Sequence, residues 1–206
     1  MRRIIIGGIL GGLVLFVWSF VAHDVLPFGA AGLRTMSPAQ EEAVVAAMHD
    51  AMNERAIYLF PGLDRSGKMT AAEQSAWRDK YAAGPAGIIA YNPHPATRGS
   101  AELIFPIIFA AELLCDVLAA LVAAALISHV PSSFGFLKRT LLVGSLGLIM
   151  TLDVDGSYLN WYAFPASYTL AQLVDHGVGY CLAGLVITAF VGDRPHLPRV
   201  TSGGES

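Results

Sequence analysis

A chain of 206 residues has room for one or two domains, but 54% hydrophobic and only 14% charged residues place it outside soluble-protein norms and within the membrane class. Its 13 Lys and Arg stand against 16 Asp and Glu, a net charge of -3 with no basic tract, so nucleic acid is not implied as a partner. The two cysteines, Cys115 and Cys181, both fall inside apolar runs, which leaves no disulfide framework.

In chain order, Met1-Arg2-Arg3 leads into an apolar run from Ile4 to Ala22. The run is long for a signal peptide, and Phe20-Val21-Ala22 puts a bulky residue where cleavage wants a small one, so it reads as an uncleaved anchor. A bilayer core of about 30 Å takes about 20 apolar residues in a helix, because lipid offers the backbone no hydrogen bonds. Four segments meet that standard: 4–22, 103–127, 137–152 and 170–191. The third is the shortest and runs into Asp153 and Asp155, which read as loop residues before the fourth span.

Residues 23–102 form a polar insert with its own local signals. Ser37-Pro38-Ala39-Gln40 combines an N-cap serine, a proline at the first helical position and a glutamine at the third, predicting a helix from Pro38 to about Asn53. Thr70-Ala71-Ala72-Glu73 repeats the capping box and predicts a shorter helix ending near Gly84. Between and after them, Ile57 to Pro61 and Gly87 to Pro93 read as short strands closed by turn residues. A small α/β lobe follows, with too thin a core to stand far from the membrane.

Short-loop bases set the orientation. Arg2 and Arg3, Lys138 and Arg139, and Arg194 and Arg199 fall on one side of four spans, while the third connection carries Asp153 and Asp155 and no base. The expected fold is therefore a mainly α polytopic membrane protein: a four-transmembrane-helix bundle with a small α/β extracytoplasmic domain between helices 1 and 2. Both termini are expected in the cytoplasm, the C-terminal one as the tail 192–206.

Several residues could carry chemistry. Glu112 and Asp116 are four apart on the second span, so both carboxylates lie on one helix face near mid-membrane, where each costs about 2.5–3.5 kcal/mol to insert. Thr169-Leu170-Ala171-Gln172 reads as the cap of the fourth span, which places Asp175 and His176 just inside it. Glu112, Asp116, Asp175 and His176 are the candidates for proton or ion handling. His23, Asp24, Glu112 and His176 offer imidazole nitrogen and carboxylate oxygen to a divalent metal, although no His-Glu-x-x-His or Glu-x-x-His spacing occurs. Simple hydrogen bonding across the helices competes with both readings.

Gly7, Gly8, Gly11 and Gly12 on the first span, and Ala119 and Ala123 on the second, form small-residue faces that allow close helix contact, within the chain or with another subunit. Trp18, Trp161, Tyr162, Phe164 and Tyr168 are expected to form an interfacial aromatic belt. The stretch from Gly62 to Glu73 matches the turn glycine and final glutamate of an EF-hand loop but lacks its first carboxylate, and helix capping accounts for Glu73. His94, between two prolines, reads as an exposed loop residue. No nucleophile elbow, P-loop or dinucleotide fingerprint is present, and no cofactor is implied.

Gly11 to Phe20 with Leu26-Pro27, Ile57 to Pro61, and Asn160-Trp161-Tyr162-Ala163-Phe164-Pro165 through Tyr168 to Asp175 together resemble, in that order, an uncharacterised group of bacterial four-span inner-membrane proteins with one periplasmic insert. The resemblance implies an inner-membrane location and that architecture, and brings no reaction with it. Glu112, Asp116 and the segment from Asp64 to Tyr81 lie outside the shared pattern. With no catalytic motif, the leading expectation is a non-enzymatic assembly or accessory protein of the cell envelope. Its partners would be the lipid bilayer and another membrane protein or a second copy as a homodimer. The alternatives are a small proton- or cation-coupled transporter using the intramembrane carboxylates, and a metal-dependent membrane enzyme.

Overall fold

The computed structural model describes residues 1–63, 69–94 and 101–191. In chain order these form α1 (Arg2–Phe20), a π-helical turn (Val21–Val25), α2 (Pro38–Ala51), β1 (Ala56–Phe60), α3 (Ala71–Ala83) and β2 (Gly87–Tyr91). There follow α4 (Ala101–Ile127), α5 (Gly135–Met150), a second π-helical turn (Thr151–Asp155), α6 (Gly156–Tyr162) and α7 (Ala166–Val191). Four continuous helical stretches are long and apolar enough to cross a membrane: Arg2–Val25, Ile104–Ile127, Gly135–Tyr162 and Ala166–Val191. The protein is thus a mainly helical, multi-pass membrane protein.

Two of these spans differ from the hydropathy reading. The third does not stop at Leu152: the backbone continues through the π turn and α6 to Tyr162, so Asp153 and Asp155 are helical rather than loop residues. Apolarity ends where the carboxylates begin, but helical hydrogen bonding does not, and it is Ala163 in the left-handed region (φ 60°) that ends the helix. The fourth span starts at Ala166, after Pro165, whose carbonyl accepts from Tyr168 N. Thr169 therefore sits in the first turn instead of capping it, and its hydroxyl reaches the Asp155 carbonyl at 3.5 Å.

The chain divides into two compact units. The first joins Met1–Ser19 of α1, Glu112–Gly147 and the chain from Gly177. Leu15 of α1, Ala120, Ala123, Ala124 and Ile127 of α4, Val143 of α5, and Ala183, Ile187 and Val191 of α7 share one core in it. Glycine makes that packing possible. A Cβ on Gly8 would lie 2.8 Å from Leu121 Cα and one on Gly11 2.7 Å from Ile187 Cγ1, while the Gly12 position is filled by the Val117 backbone and Gly7 abuts Phe190. The first-span glycines are thus used within the chain, against α4 and α7. Ala123 is buried against the same core and Ala119 is half-buried. At the α4–α5 connection the buried Arg139 donates to the Ile127 carbonyl at 2.8 Å, a terminal acceptor of α4 that also takes the Val130 N–H at 3.1 Å.

The second unit, Phe20–Ala111 and Leu148–His176, holds the polar insert. β1 and β2 pair antiparallel, Ala56 with Tyr91 through Phe60 with Gly87. Both capping boxes form: Ser37 N donates to Gln40 Oε1 at 3.0 Å, and Thr70 N to Glu73 Oε2 at 2.7 Å with Glu73 N returning to Thr70 Oγ1 at 3.3 Å. Gly84, at φ 67°, closes α3. Neither α2 nor α3 buries a residue. Single polar links hold them instead: Trp77 Nε1 donates to Pro61 O at 3.2 Å, and His49 Nδ1 meets Tyr91 Oη at 3.1 Å.

Candidate functional site

An α-helix bonds each N–H four residues back, so inserting one residue into the ladder makes a π turn and swings the following side chains around the axis. Two spans carry such a turn. In the first, Leu26 N reaches Val21 O at 2.8 Å, and His23 and Asp24 lie inside the widened turn. In the second, Gly156 N reaches Thr151 O, and Asp155 closes the turn. Both turns belong to the second unit, which also receives the first part of α7 with Gln172, Asp175 and His176.

Each turn brings a polar side chain to α7. His23 Nδ1 lies 3.8 Å from Asp175 Oδ2, and His176 Nδ1 lies 3.6 Å from Asp155 Oδ2. These separations suit an ion pair once the imidazole is protonated, and are longer than a hydrogen bond. His176 Nδ1 has a shorter contact, 2.9 Å to Thr151 Oγ1, whose hydroxyl also lies 3.4 Å from the Gln172 carbonyl. With the hydroxyl proton directed at Gln172 O, the shared contact requires the His176 proton on Nδ1, leaving Nε2 of the neutral ring as the acceptor.

Exposure within the site is graded. The Asp155 and Asp175 side chains are 5% and 7% exposed, that of His176 24% and that of His23 40%. His23 is therefore the most exposed member of the site, and the two carboxylates are the most buried. Chemically the arrangement can bind and pass protons: an imidazole beside a buried carboxylate can be neutral with a carboxylic acid or charged with a carboxylate, and a proton moving between the two leaves the net charge of the pair unchanged.

Of the residues singled out from sequence, Asp175, His176 and His23 belong to this site. Asp24 and Asp153 are exposed on the π turns. Glu112, exposed, and Asp116, half-buried, lie on α4 in the other unit. Among the described residues no group of three or more His, Cys, Asp or Glu side chains is placed to hold a metal ion, so the set His23, Asp24, Glu112 and His176 gains no support as a metal centre. The calcium-loop reading falls largely on residues 64–68, outside the described residues, and the Glu73 end of it is engaged in capping Thr70. Thr151 belongs to no sequence motif, and Asp155 enters from sequence as one of the acids at the end of the third span. The spacing of four between these two polar side chains is the signal that could have found them together.

Four of the aromatics lie ring beside ring. Phe164 lies 5.1 Å from Tyr158 and 5.2 Å from Tyr168, ring centre to ring centre, with Tyr162 6.0 Å from Tyr158. Trp161 is exposed, and Trp18 packs where Gly179 leaves room, its Cδ1 2.8 Å from the place a Cβ would take. His94 is exposed, its N–H bonded to Asn92 Oδ1. No protein-family model, no curated protein and no solved structure matches this chain.

Proposed function

We propose that this chain is a bacterial inner-membrane protein that handles protons, or cations exchanged for them, through the two pairs His23–Asp175 and His176–Asp155. The observation that carries the reading is that both pairs join a π turn of one membrane-length helix to α7. Ionisable groups are expensive within membrane helices, about 2.5–3.5 kcal/mol each at the centre, and π turns concentrate at functional sites. Satisfying the backbone alone calls for neither.

In the proposed sequence of events His23, the most exposed member, exchanges its proton with water. Asp175 receives it and returns it, and His176 with Asp155 forms a second station whose ring Thr151 orients. Positive-inside asymmetry from Arg2, Arg3, Lys138 and Arg139 supports cytoplasmic termini, with the α/β insert as a periplasmic domain. The accessory-protein expectation rests on the absence of a catalytic motif; of the faces it could use for assembly, the first-span glycines are occupied by α4 and α7.

The test is proton flux in reconstituted vesicles loaded with a pH-sensitive dye. The parent protein is expected to speed collapse of an imposed pH gradient over empty vesicles, and Asp155→Asn combined with Asp175→Asn to slow it about tenfold or more while insertion is unchanged. A parent no faster than empty vesicles, or a double variant as fast as the parent, contradicts the proposal.

A further inference from the structure

The second span presents a carboxyl group where a lone chain has nothing to offer it. Glu112 lies eight residues inside the stretch Ile104–Ile127, about 12 Å from its end at 1.5 Å per residue. It is exposed, and among the described residues it makes no hydrogen bond or ion pair. Asp116, one turn on, is half-buried and engaged within the chain. α4 is also the span least covered by its own chain, with 17% of its most apolar window buried against 39% for α7. Glu112, Cys115, Leu118, Val122 and Leu126 are all exposed and recur at intervals of three and four, so they form one continuous stripe along the helix.

Lipid accounts for the apolar members of the stripe but not for Glu112. We infer that a second copy of this chain covers the face, with the two Glu112 carboxyl groups meeting across a two-fold axis. Two copies inserted in the same direction bring Glu112 to the same depth by symmetry, and an isologous contact places like residues opposite each other. Like carboxyl groups in a dry site are self-complementary once they share a proton, one donating and the other accepting. Neither then needs a base. Cys115, small and one turn along, allows the helices to approach closely at that level. The inference requires α4 to span the membrane and is independent of proton handling at His23 and Asp155.

Native Cys115 supplies the probe. In Cys181→Ser protein, oxidation in membranes with copper phenanthroline is expected to give a species of twice the chain mass on non-reducing gels, and Cys115→Ser to abolish it. Glu112→Ala should lower its yield about fivefold or more, whereas Glu112→Gln, able to pair amide to amide, should keep most of it. Counting copies of the otherwise unaltered protein in lipid nanodiscs gives a second reading that does not depend on the Cys181 substitution: two for the parent, one for Glu112→Ala. A single copy of the parent, cross-linking to a protein of different mass, or a Glu112→Ala yield equal to the parent's overturns the inference.

Discussion

A carboxylate on a side chain that is 5% exposed inside an apolar helix has to be answered by a neighbour, and Asp155 is answered by His176 across from α7. Asp175 and His176 were legible in the sequence because polar residues interrupt the fourth apolar run. Asp155 was less so, because the third run loses its hydropathy at Asp153 and a π turn has no composition of its own. Which imidazole meets which carboxylate could not be read at all, since it depends on the turn of two helices about their axes. The pairing has a direct check in protein labelled with ¹⁵N-histidine and held in lipid nanodiscs. Asp155→Asn is expected to move the His176 ring resonances and leave those of His23 in place, and equal movement of both would break the assigned pairs. Glycine is the other single-residue determinant. Gly8→Ala puts a methyl 2.8 Å from Leu121 Cα, backbone that cannot swing aside, and is expected to destabilise the protein by about 1–3 kcal/mol in detergent unfolding. Gly62→Ala, with only Leu59 O within 4 Å among the described residues, is the control and should unfold with the parent.

Elements of the insert were the most legible part of the chain, because their signals are local. Both capping boxes and the start of each helix follow from residues within four positions of each other, whereas the antiparallel pairing joins residues as far apart as Ala56 and Tyr91 and was not legible. Since α3 buries no residue, its cap carries more weight than in a core helix. Thr70→Ala is expected to cost about 1 kcal/mol locally, seen as faster amide exchange over Ala71–Ala83 with little change elsewhere. Unaltered exchange there would show that something else holds the helix. The third span was misjudged for the opposite reason: its length depends on a backbone path through Gly156 to Ala163 that hydropathy does not register. Deleting Leu152, an exposed residue within the π turn, restores α-helical spacing and leaves Thr151 and Asp155, which both meet His176, three positions apart instead of four. Such a variant should still insert but lose the His176–Asp155 pair and, with it, gradient collapse; full flux from it would mean that the π turn is dispensable.

For the molecule as a whole, hydropathy was enough to count four spans, since lipid leaves a long apolar run no alternative to a helix. The shared core of α1, α4, α5 and α7 was only partly legible: the glycine faces announced close contact but not whether the partner was another helix of the same chain. Distances settled that, with α4 and α7 filling the space each glycine leaves. Proton exchange at His23 and pairing through Glu112 both require that the helices cross the bilayer in the stated sense, with the insert on one side and the α4–α5 connection on the other. Cysteine labelling tests this most directly, using Ser75→Cys on α3 and Ser133→Cys between α4 and α5, each exposed, in a background carrying Cys115→Ser and Cys181→Ser. A membrane-impermeant maleimide added to intact cells with a permeabilised outer membrane should modify Ser75→Cys at once and Ser133→Cys only after the inner membrane is opened. Equal labelling of the two from the same side would contradict it.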